Sequence, residues 1–145
     1  MLVRRNKLAL FLHLVWATWD RLPLITPEIE PLLYQCIQGE ARKMRCAVLA
    51  LNGTEDHVHL VLAIPAAVAI SDIVKQIKGA SSFFVNQALK PREQFKWQGS
   101  YGAFTISRWE VERAIQYVRR QKEHHAAPEP RLQEEWEETF EEAAD

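Results

Sequence analysis

The sequence predicts an α+β domain in which an antiparallel sheet carries helices on one face. Three observations lead to this class. Apolar, strand-like segments alternate with segments of helical periodicity in the order β-α-β-β-α-β-α. The second and third strands are separated by only a few residues, which is typical of an antiparallel hairpin. The chain has 145 residues, 48% of them hydrophobic, and this is enough for one ordinary core.

The first strand and the first helix are predicted from composition and capping signals. The strand covers Leu8–Thr18, an apolar segment followed by a turn-like stretch. A helix follows from Pro27 to about Arg45, because Thr26 can cap it and proline suits the first helical position. Apolar residues recur there at helical spacing, namely Ile29, Leu32, Leu33, Cys36 and Ile37.

A hairpin is predicted next. Its strands are Cys46–Leu51 and His57–Ile64, and the five residues Asn52–Asp56 form the loop between them. The pair Asn52-Gly53 is a strong turn signal.

The second half of the domain is predicted as helix, strand, helix. Ser71 can cap a long helix that runs to about Leu89, and a strand at Tyr101–Ile106 follows. The segment Ser107–Glu110 has the spacing of a capping box, which would begin the last helix. The first six elements match the ferredoxin-like split βαβ pattern, which leaves one face of the sheet open. The inward side of the last helix consists of Val111, Ala114, Ile115 and Val118.

The charge of the chain is divided between a basic body and an acidic tail. Residues 1–127 carry a net charge of +6, whereas residues 128–145 carry −7. We therefore divide the chain into a basic domain, 1–127, and an acidic amphipathic tail, 128–145. The tail places apolar residues every four positions, at Leu132, Trp136 and Phe140. A basic body is compatible with a polyanionic partner but does not identify one.

Three protein classes are excluded, namely disulfide scaffolds, zinc ribbons and membrane-spanning proteins. Cys36 and Cys46 lack the spacing of a zinc ribbon and follow no secretory segment, so neither disulfides nor zinc organise the fold. The longest apolar stretches are too short to cross a bilayer. The sequence predicts a cytoplasmic protein.

The sharpest feature of the sequence is a pair of histidines one residue apart, His57 and His59. Side chains alternate along a strand, so both imidazoles project to one face, about 7 Å apart. We expect this to be the open face of the sheet. Two imidazoles so placed can bind one metal ion. A structural role fits the spacing equally well, because such a pair also arises by chance.

A second feature is the pair Tyr117 and Gln121, four residues apart on one face of the last predicted helix. Both lie at the edge of its apolar stripe, where a tyrosine usually packs its ring and keeps its hydroxyl in water. Alternatively, the amide oxygen of Gln121 can complete a metal site and the Tyr117 hydroxyl can act as a nucleophile. A phenol has an ordinary pKa of about 10 and needs neighbouring positive charge for attack at neutral pH. The basic residues Arg113, Arg119, Arg120 and Lys122 supply such charge.

Taken together, these features resemble a known family. His57-Val58-His59, preceded by Glu55-Asp56 and followed by an apolar strand, is similar to the histidine–hydrophobe–histidine (HUH) motif. The segment from Tyr117 to His125 resembles the nucleophile helix of single-tyrosine transposases. This family comprises small insertion-sequence transposases and REP-associated tyrosine transposases. Weaker similarities extend the resemblance over residues 8–125 and lie at His13–Trp16, Ile77–Ser82, Trp97-Gln98 and Tyr101–Ala103.

The resemblance implies an enzyme that cuts and rejoins single-stranded DNA at hairpin-associated sites. In this family the tyrosine hydroxyl attacks a phosphodiester and forms a 5′-phosphotyrosine. By resemblance, Tyr117 is the nucleophile, and His57, His59 and Gln121 are ligands of a divalent ion, Mg²⁺ or Mn²⁺. Because magnesium prefers oxygen ligands and imidazole suits later metals, we expect weak binding.

The basic residues and His13 are assigned less directly. Candidate DNA contacts are Lys75, Lys78, Arg108, Arg119, Arg120 and Lys122, although a solvated surface explains some of them equally well. Trp97 and Tyr101 are candidates for stacking on unpaired bases, or for the core. His13 faces either the core or the open side of the sheet, and a structural role is favoured.

Two other functions and the state of assembly remain open in the sequence. The chain could be a domesticated protein that binds DNA hairpins without moving them, or a small metal-dependent hydrolase without a tyrosine nucleophile. A homodimer is expected, because neither His57–Ile64 nor Tyr101–Ile106 carries a charge that would block pairing at a sheet edge. REP-associated relatives can nevertheless act as monomers.

Overall fold

The computed structural model describes residues 6–124 and contains, within them, four strands and four α-helices. No helix in this part of the chain is long and apolar enough to cross a membrane. The predicted tail, 128–145, lies outside the described residues. The strands are β1 Phe11–Ala17, β2 Ala47–Gly53, β3 His57–Ala63 and β4 Gly102–Ile106. The helices are α1 Glu30–Lys43, α2 Ile70–Phe84, α3 Val111–Arg119 and α4 Gln121–His124.

The strands form one antiparallel sheet in the order β2-β3-β1-β4. This order confirms the predicted ferredoxin-like, α+β architecture. It also places β3 in the interior of the sheet, hydrogen-bonded to β1 on one side and β2 on the other. The expectation that the strand containing the histidine pair has a free edge is therefore wrong. The edges are β2 and β4.

One face of the sheet carries the main hydrophobic core. Helices α1 and α2 pack together over it, and the alternate residues of β1 and β3 that point towards them are apolar. The fully buried members of this core include Leu12, Leu14, Trp16, Leu33, Ile37, Leu60, Leu62, Ile73 and Ile77.

The opposite face was expected to be open, and the structure corrects this. Helix α3 packs across β2 and β3 there and forms a second, smaller cluster with Ala50 and Val61 of the sheet. The physical reason is the apolar stripe of α3 itself, since Ala114 and Val118 can leave water only against this face. The histidines of β3 are consequently covered.

Local capping signals were partly informative. The backbone N–H of Ile29 donates to the hydroxyl of Thr26 at 3.3 Å, but α1 begins at Glu30, three residues after the predicted start at Pro27, and its N-cap residue Ile29 makes no side-chain cap. Likewise, α2 begins at Ile70, before Ser71, and α3 begins at Val111 without a side-chain cap, so the capping box of Ser107–Glu110 does not form. Residues Asn52 and Gly53 end β2, and the hairpin loop has only the three residues 54–56.

Candidate active site

The two histidines of β3 lie side by side in the interior of the protein. Their ring centroids are 5.1 Å apart, and only 2% of His57 and none of His59 is exposed. The common face predicted from strand alternation is therefore confirmed, but the imidazoles point into the space between the sheet and α3. They cannot be replaced by alanine without leaving a cavity.

The hairpin loop holds the ring of His57. Its Nδ1 lies 2.8 Å from Oδ1 of Asp56 and 2.9 Å from the hydroxyl of Thr54, which itself donates to the same carboxylate oxygen at 3.1 Å. An ionised carboxylate can only accept hydrogen bonds, so Nδ1 carries a proton, and in the neutral ring the lone pair is then on Nε2. This is the arrangement that orients metal-ligating histidines.

Asp56 is kept ionised by its surroundings. Burial alone would raise the pKa of this carboxyl, but the hydrogen bond from His57, the guanidinium of Arg21 and the hydroxyl of Thr54 together lower it to about 2. The Nε of Arg21 lies 3.5 Å from Oδ2 of Asp56. Arg21 belongs to a single 3-10 turn, Trp19–Arg21, directly after β1.

Gly53 is required where the hairpin closes. A Cβ at this position would lie 2.1 Å from the carbonyl oxygen of His57, so any other residue would displace the backbone of the histidine. The Asn52-Gly53 signal is thus explained by close approach to His57. It does not mark a two-residue turn.

A third histidine comes from the neighbouring strand β1. Nε2 of His13 lies 2.9 Å from Nδ1 of His59, and the two ring centroids are 5.1 Å apart. His13 is fully buried, and this burial lowers its pKa to about 3, so the ring is neutral at physiological pH. The sequence left the orientation of His13 undecided; the structure places it on the side of the histidine pair.

Tyr117 projects from α3 onto these histidines. Its ring centroid lies 5.8 Å from that of His59 and 6.4 Å from that of His13. Only 2% of Tyr117 is exposed, so the expectation of a ring at the helix edge with its hydroxyl in water is wrong. The cause is again the packing of α3 on the sheet.

Gln121 is also fully buried, but it does not belong to the same helix as Tyr117. Helix α3 ends at Arg119, and α4 begins at Gln121 after one non-helical residue, Arg120. Within the described residues, neither the oxygen nor the nitrogen of the Gln121 side-chain amide has a hydrogen-bond partner. A buried amide without a partner is costly, so a ligand for its oxygen would be stabilising.

The donor types of His57, His59 and Gln121 suit a divalent ion, because imidazole nitrogens and an amide oxygen can all act as ligands. Within residues 6–124, no group of three His, Cys, Asp or Glu is arranged to hold a metal ion, so this set depends on the amide oxygen. Two imidazoles and one amide form a neutral set, which is compatible with weak binding.

The start of α4 is tied to the body of the domain by Lys122. Its Nζ donates to Oδ1 of Asn52 at 2.7 Å and to the carbonyl of Gly53 at 3.1 Å, and it pairs with Glu30 at 3.0 Å. These bonds connect α4 to the hairpin and to α1, and so fix the position of the neighbouring Gln121.

The predicted DNA contacts differ in their surroundings. Nζ of Lys78 donates to the carbonyl oxygens of Gln98 and Ser100, so this side chain has a structural role. Its contact with DNA stays a prediction. The guanidinium of Arg108 stacks over the exposed ring of Trp109 at 4.3 Å. The other candidates lie on the surface, namely Lys75, Arg119, Arg120 and Lys122.

The aromatic residues Trp97 and Tyr101 are part of the packed structure. Trp97 is buried, lies edge-to-face against Trp16 and donates to the hydroxyl of Ser81 at 3.0 Å. Tyr101 packs against the main core. Of the two alternatives stated for these residues, the core is the one observed.

Sequence reasoning missed Thr54 and Asp56 as partners of His57. A signal was present, because a carboxylate directly before a histidine at a tight turn can reach the near side of the ring. The bond between His13 and His59 had no comparable signal, since it depends on the pairing of β1 with β3.

The sequence and the fold are both similar to those of known proteins. The family model described as "Transposase IS200 like" matches residues 6–121. The ISDra2 transposase TnpA of Deinococcus radiodurans is 30% identical over 100 residues, which cover 66% of this chain and 71% of that protein.

Two solved structures share the fold. A protein from Deinococcus radiodurans R1 that has been assigned as a transposase superposes with a TM-score of 0.64 at 29% identity, over 83% of this chain and 98% of that one. A REP-associated tyrosine transposase bound to a REP hairpin superposes with a TM-score of 0.61 at 16% identity, over 86% of this chain and 74% of that one. The second likeness concerns the fold alone.

Proposed function

The chain belongs to the IS200-like transposase family, and from this premise we propose that it cuts and rejoins single-stranded DNA through a covalent bond to Tyr117. The observation that carries the proposal is the position of the Tyr117 ring, 5.8 Å from that of His59 in the same chain. The proposed nucleophile and His59, a proposed metal ligand, are thus neighbours within one chain.

The proposed reaction is an attack of the Tyr117 hydroxyl oxygen on a DNA phosphorus. A bond forms between this oxygen and phosphorus, and the bond from phosphorus to the 3′-oxygen of the preceding nucleotide breaks. The phenol loses its proton and the departing 3′-oxygen gains one, so the products are a 5′-phosphotyrosine and a free 3′-hydroxyl. Attack by that hydroxyl or another on the phosphotyrosine rejoins the strand and releases Tyr117.

The buried residues around Tyr117 have distinct roles in this proposal. His57 and His59 would hold a divalent ion, Mg²⁺ or Mn²⁺, with the amide oxygen of Gln121 as third ligand. When bound, such an ion supplies positive charge that polarises the scissile phosphate. Asp56 and Thr54 orient the ring of His57 through the bonds to Nδ1. Only 2% of Tyr117 is exposed. The proposed attack therefore requires the residues that cover its ring to move aside when DNA binds.

The proposed substrate is single-stranded DNA beside a hairpin. The basic body of the chain, residues 1–127, favours a polyanion, and the surface residues Arg108, Arg119 and Arg120 supply cations beside α3. Arg119 and Arg120 lie directly at its end, within three positions of Tyr117. A solved structure with the same fold is described as bound to a REP hairpin, which supports the choice of substrate.

A covalent-adduct assay tests the proposal. Single-stranded hairpin DNA labelled at its 3′ end is incubated with the protein and Mn²⁺, and the products are denatured before electrophoresis. The label is expected to migrate with the protein, because the fragment downstream of the cut keeps the 5′-phosphate. The same DNA labelled at its 5′ end should instead give a shortened free strand.

Variants and other outcomes make the assay specific. Tyr117→Phe should abolish the adduct and leave DNA binding intact, whereas the matched Tyr101→Phe should keep it. Binding without cleavage in the native protein would favour a domesticated hairpin-binding protein. Free cut ends without an adduct would favour a metal-dependent hydrolase, and either result contradicts the proposal.

A further inference from the structure

The contact between His13 and His59 restricts where protons can lie in the candidate site. Nε2 of His13 is 2.9 Å from Nδ1 of His59, and neither side chain is exposed. His13 belongs to β1, where it lies close to the His59 side chain of the adjacent strand β3. The bond is therefore a product of the sheet and does not depend on a loop.

Two proton arrangements are compatible with this distance. In the first, Nδ1–H of His59 donates to Nε2 of His13, and the lone pair of His59 is on Nε2. In the second, Nε2–H of His13 donates to Nδ1 of His59, and the proton of the neutral His59 ring is on Nε2. Only the first arrangement leaves Nε2 of His59 able to bind a metal ion.

We infer that His13 is a positioning residue, which holds His59 in the Nδ1–H tautomer and so presents its Nε2 to a divalent cation. The inference rests on the proposed function, in which His59 is a ligand. In this role His13 orients His59 as Asp56 orients His57, whose Nδ1–H donates to the Asp56 carboxylate at 2.8 Å.

The choice of a histidine at position 13 follows from burial. The hairpin loop that carries Asp56 is near solvent, and Arg21 compensates its charge at 3.5 Å. Position 13 is fully buried, where a carboxylate without such a partner would be expensive. A neutral imidazole accepts the hydrogen bond of His59 without adding negative charge beside the DNA phosphate.

Two variants separate this role from simple packing. In His13→Gln, the amide oxygen can take the place of Nε2 as an acceptor, whereas His13→Leu fills much of the volume but accepts no hydrogen bond. The tautomer of His59 is read from long-range ¹H–¹⁵N correlation spectra of the metal-free protein labelled at histidine. Binding of Mn²⁺ alone is measured by calorimetry, and folding by circular dichroism and thermal unfolding.

The inference predicts the Nδ1–H tautomer of His59 in the native protein and in His13→Gln, and a shift towards Nε2–H in His13→Leu. Affinity for Mn²⁺ should fall about 10- to 100-fold in His13→Leu and should be largely kept in His13→Gln. A native His59 protonated on Nε2 would overturn the inference, and this result needs no variant. Equal loss of affinity in two folded variants would also overturn it, because packing alone would then explain His13.

Failure of the proposed function gives a different pattern. If the native protein binds no Mn²⁺ and forms no DNA adduct, the metal role of His59 is wrong. The spectra of the metal-free native protein still decide whether His13 fixes the tautomer of His59.

Discussion

The side-chain amide nitrogen of Asn52 donates a 2.9 Å hydrogen bond to the carbonyl oxygen of Arg119. Arg119 is the last residue of α3, where carbonyl groups lack partners within the helix. The amide oxygen of the same Asn52 accepts a bond from Lys122 in α4 at 2.7 Å. The Asn52 side chain thus bonds to the last residue of α3, two positions after Tyr117, and to the residue that follows Gln121.

This relationship predicts the effect of Asn52→Asp. The carboxylate keeps an acceptor for Lys122 but removes the donor to Arg119, and it places negative charge beside a carbonyl oxygen. We expect the free energy of unfolding to fall by about 1–2 kcal/mol. Formation of the DNA adduct should slow, because the position of Tyr117 becomes less fixed. Denaturant titration measures the first effect and the 3′-label assay the second.

Lys122→Met is the matched control for Asn52→Asp. It removes the bond from Lys122 to Asn52 and the ion pair with Glu30, but leaves the donor to Arg119. It should loosen α4, with less effect on hydrogen exchange at the end of α3. Equal exchange at the end of α3 in Asn52→Asp and the native protein would contradict the assigned role of Asn52.

A second prediction concerns the carboxylate of Asp56, which fixes the proton of His57 on Nδ1. In Asp56→Asn the amide group can donate to Nδ1 as well as accept, so the preference for Nδ1–H is lost. Affinity for Mn²⁺ is expected to fall about 10- to 100-fold, as measured by calorimetry. Arg21→Gln, which removes only the 3.5 Å ion pair, should have a smaller effect. Unchanged affinity in a folded Asp56→Asn protein would show that His57 does not depend on this carboxylate.

The outcome for His57 and Tyr117 shows what the sequence could predict. Strand periodicity was enough to place His57 and His59 on one face, because that pattern is local. It could not show that α3 covers this face, since the packing of a helix on a sheet depends on residues distant in sequence. For the same reason the hydroxyl of Tyr117 was expected to contact water at the edge of the helix, whereas the residue is buried. The bond between His13 and His59 depends on the pairing of β1 with β3, which the sequence does not show.

Lys78 shows the same limit for charged residues. Its sequence position, on the polar side of α2, is compatible with a DNA contact. Its ammonium group instead reaches the carbonyls of Gln98 and Ser100, in the segment that leads to β4. Helical periodicity gives the direction of a side chain, but it cannot show whether a loop lies over it.

A third prediction follows from the burial of Lys78, which lowers the pKa of its ammonium group from 10.5 to about 8. Between about pH 8 and pH 10.5, Lys78 holds its proton in the unfolded chain but has released it in the folded protein. The contribution of Lys78 to the free energy of unfolding therefore rises with pH across this window and is lost as pH falls through 8. Denaturant titrations between pH 7.5 and 10.5 measure this slope.

Lys78→Met isolates that contribution, because it removes the titrating group. Its stability should rise less between pH 8 and pH 10.5 than that of the native protein, because the variant has no group that releases a proton on folding in this range. The exposed Lys75→Met on the same helix is the control and should keep the native slope. Identical slopes in the native protein and Lys78→Met would contradict the lowered pKa.

The last prediction concerns assembly. The sheet order makes β2 an edge strand in place of β3, which was expected to have a free edge. In the sheet formed by residues 6–124, the edge strands are β2 and β4, and neither contains a charged residue. β2 is irregular, with a shift of register between Val48 and Ala50, which makes it a poor template for further pairing. β4 has continuous pairing with β1 on one side, so its other side is the better edge for a second copy of the chain.

We therefore predict a homodimer joined at β4, with a mass near twice 16.8 kDa by light scattering at micromolar concentration. Ala103 and Thr105 are exposed on this strand, and in a two-fold pair Ala103→Lys with Thr105→Lys would bring like charges together. The double variant should be monomeric. It should still form the DNA adduct, because Tyr117 lies beside His59 of its own chain. A native protein that is monomeric at these concentrations would rule out the dimer, and a folded monomeric variant without adduct would mean that the site needs both copies.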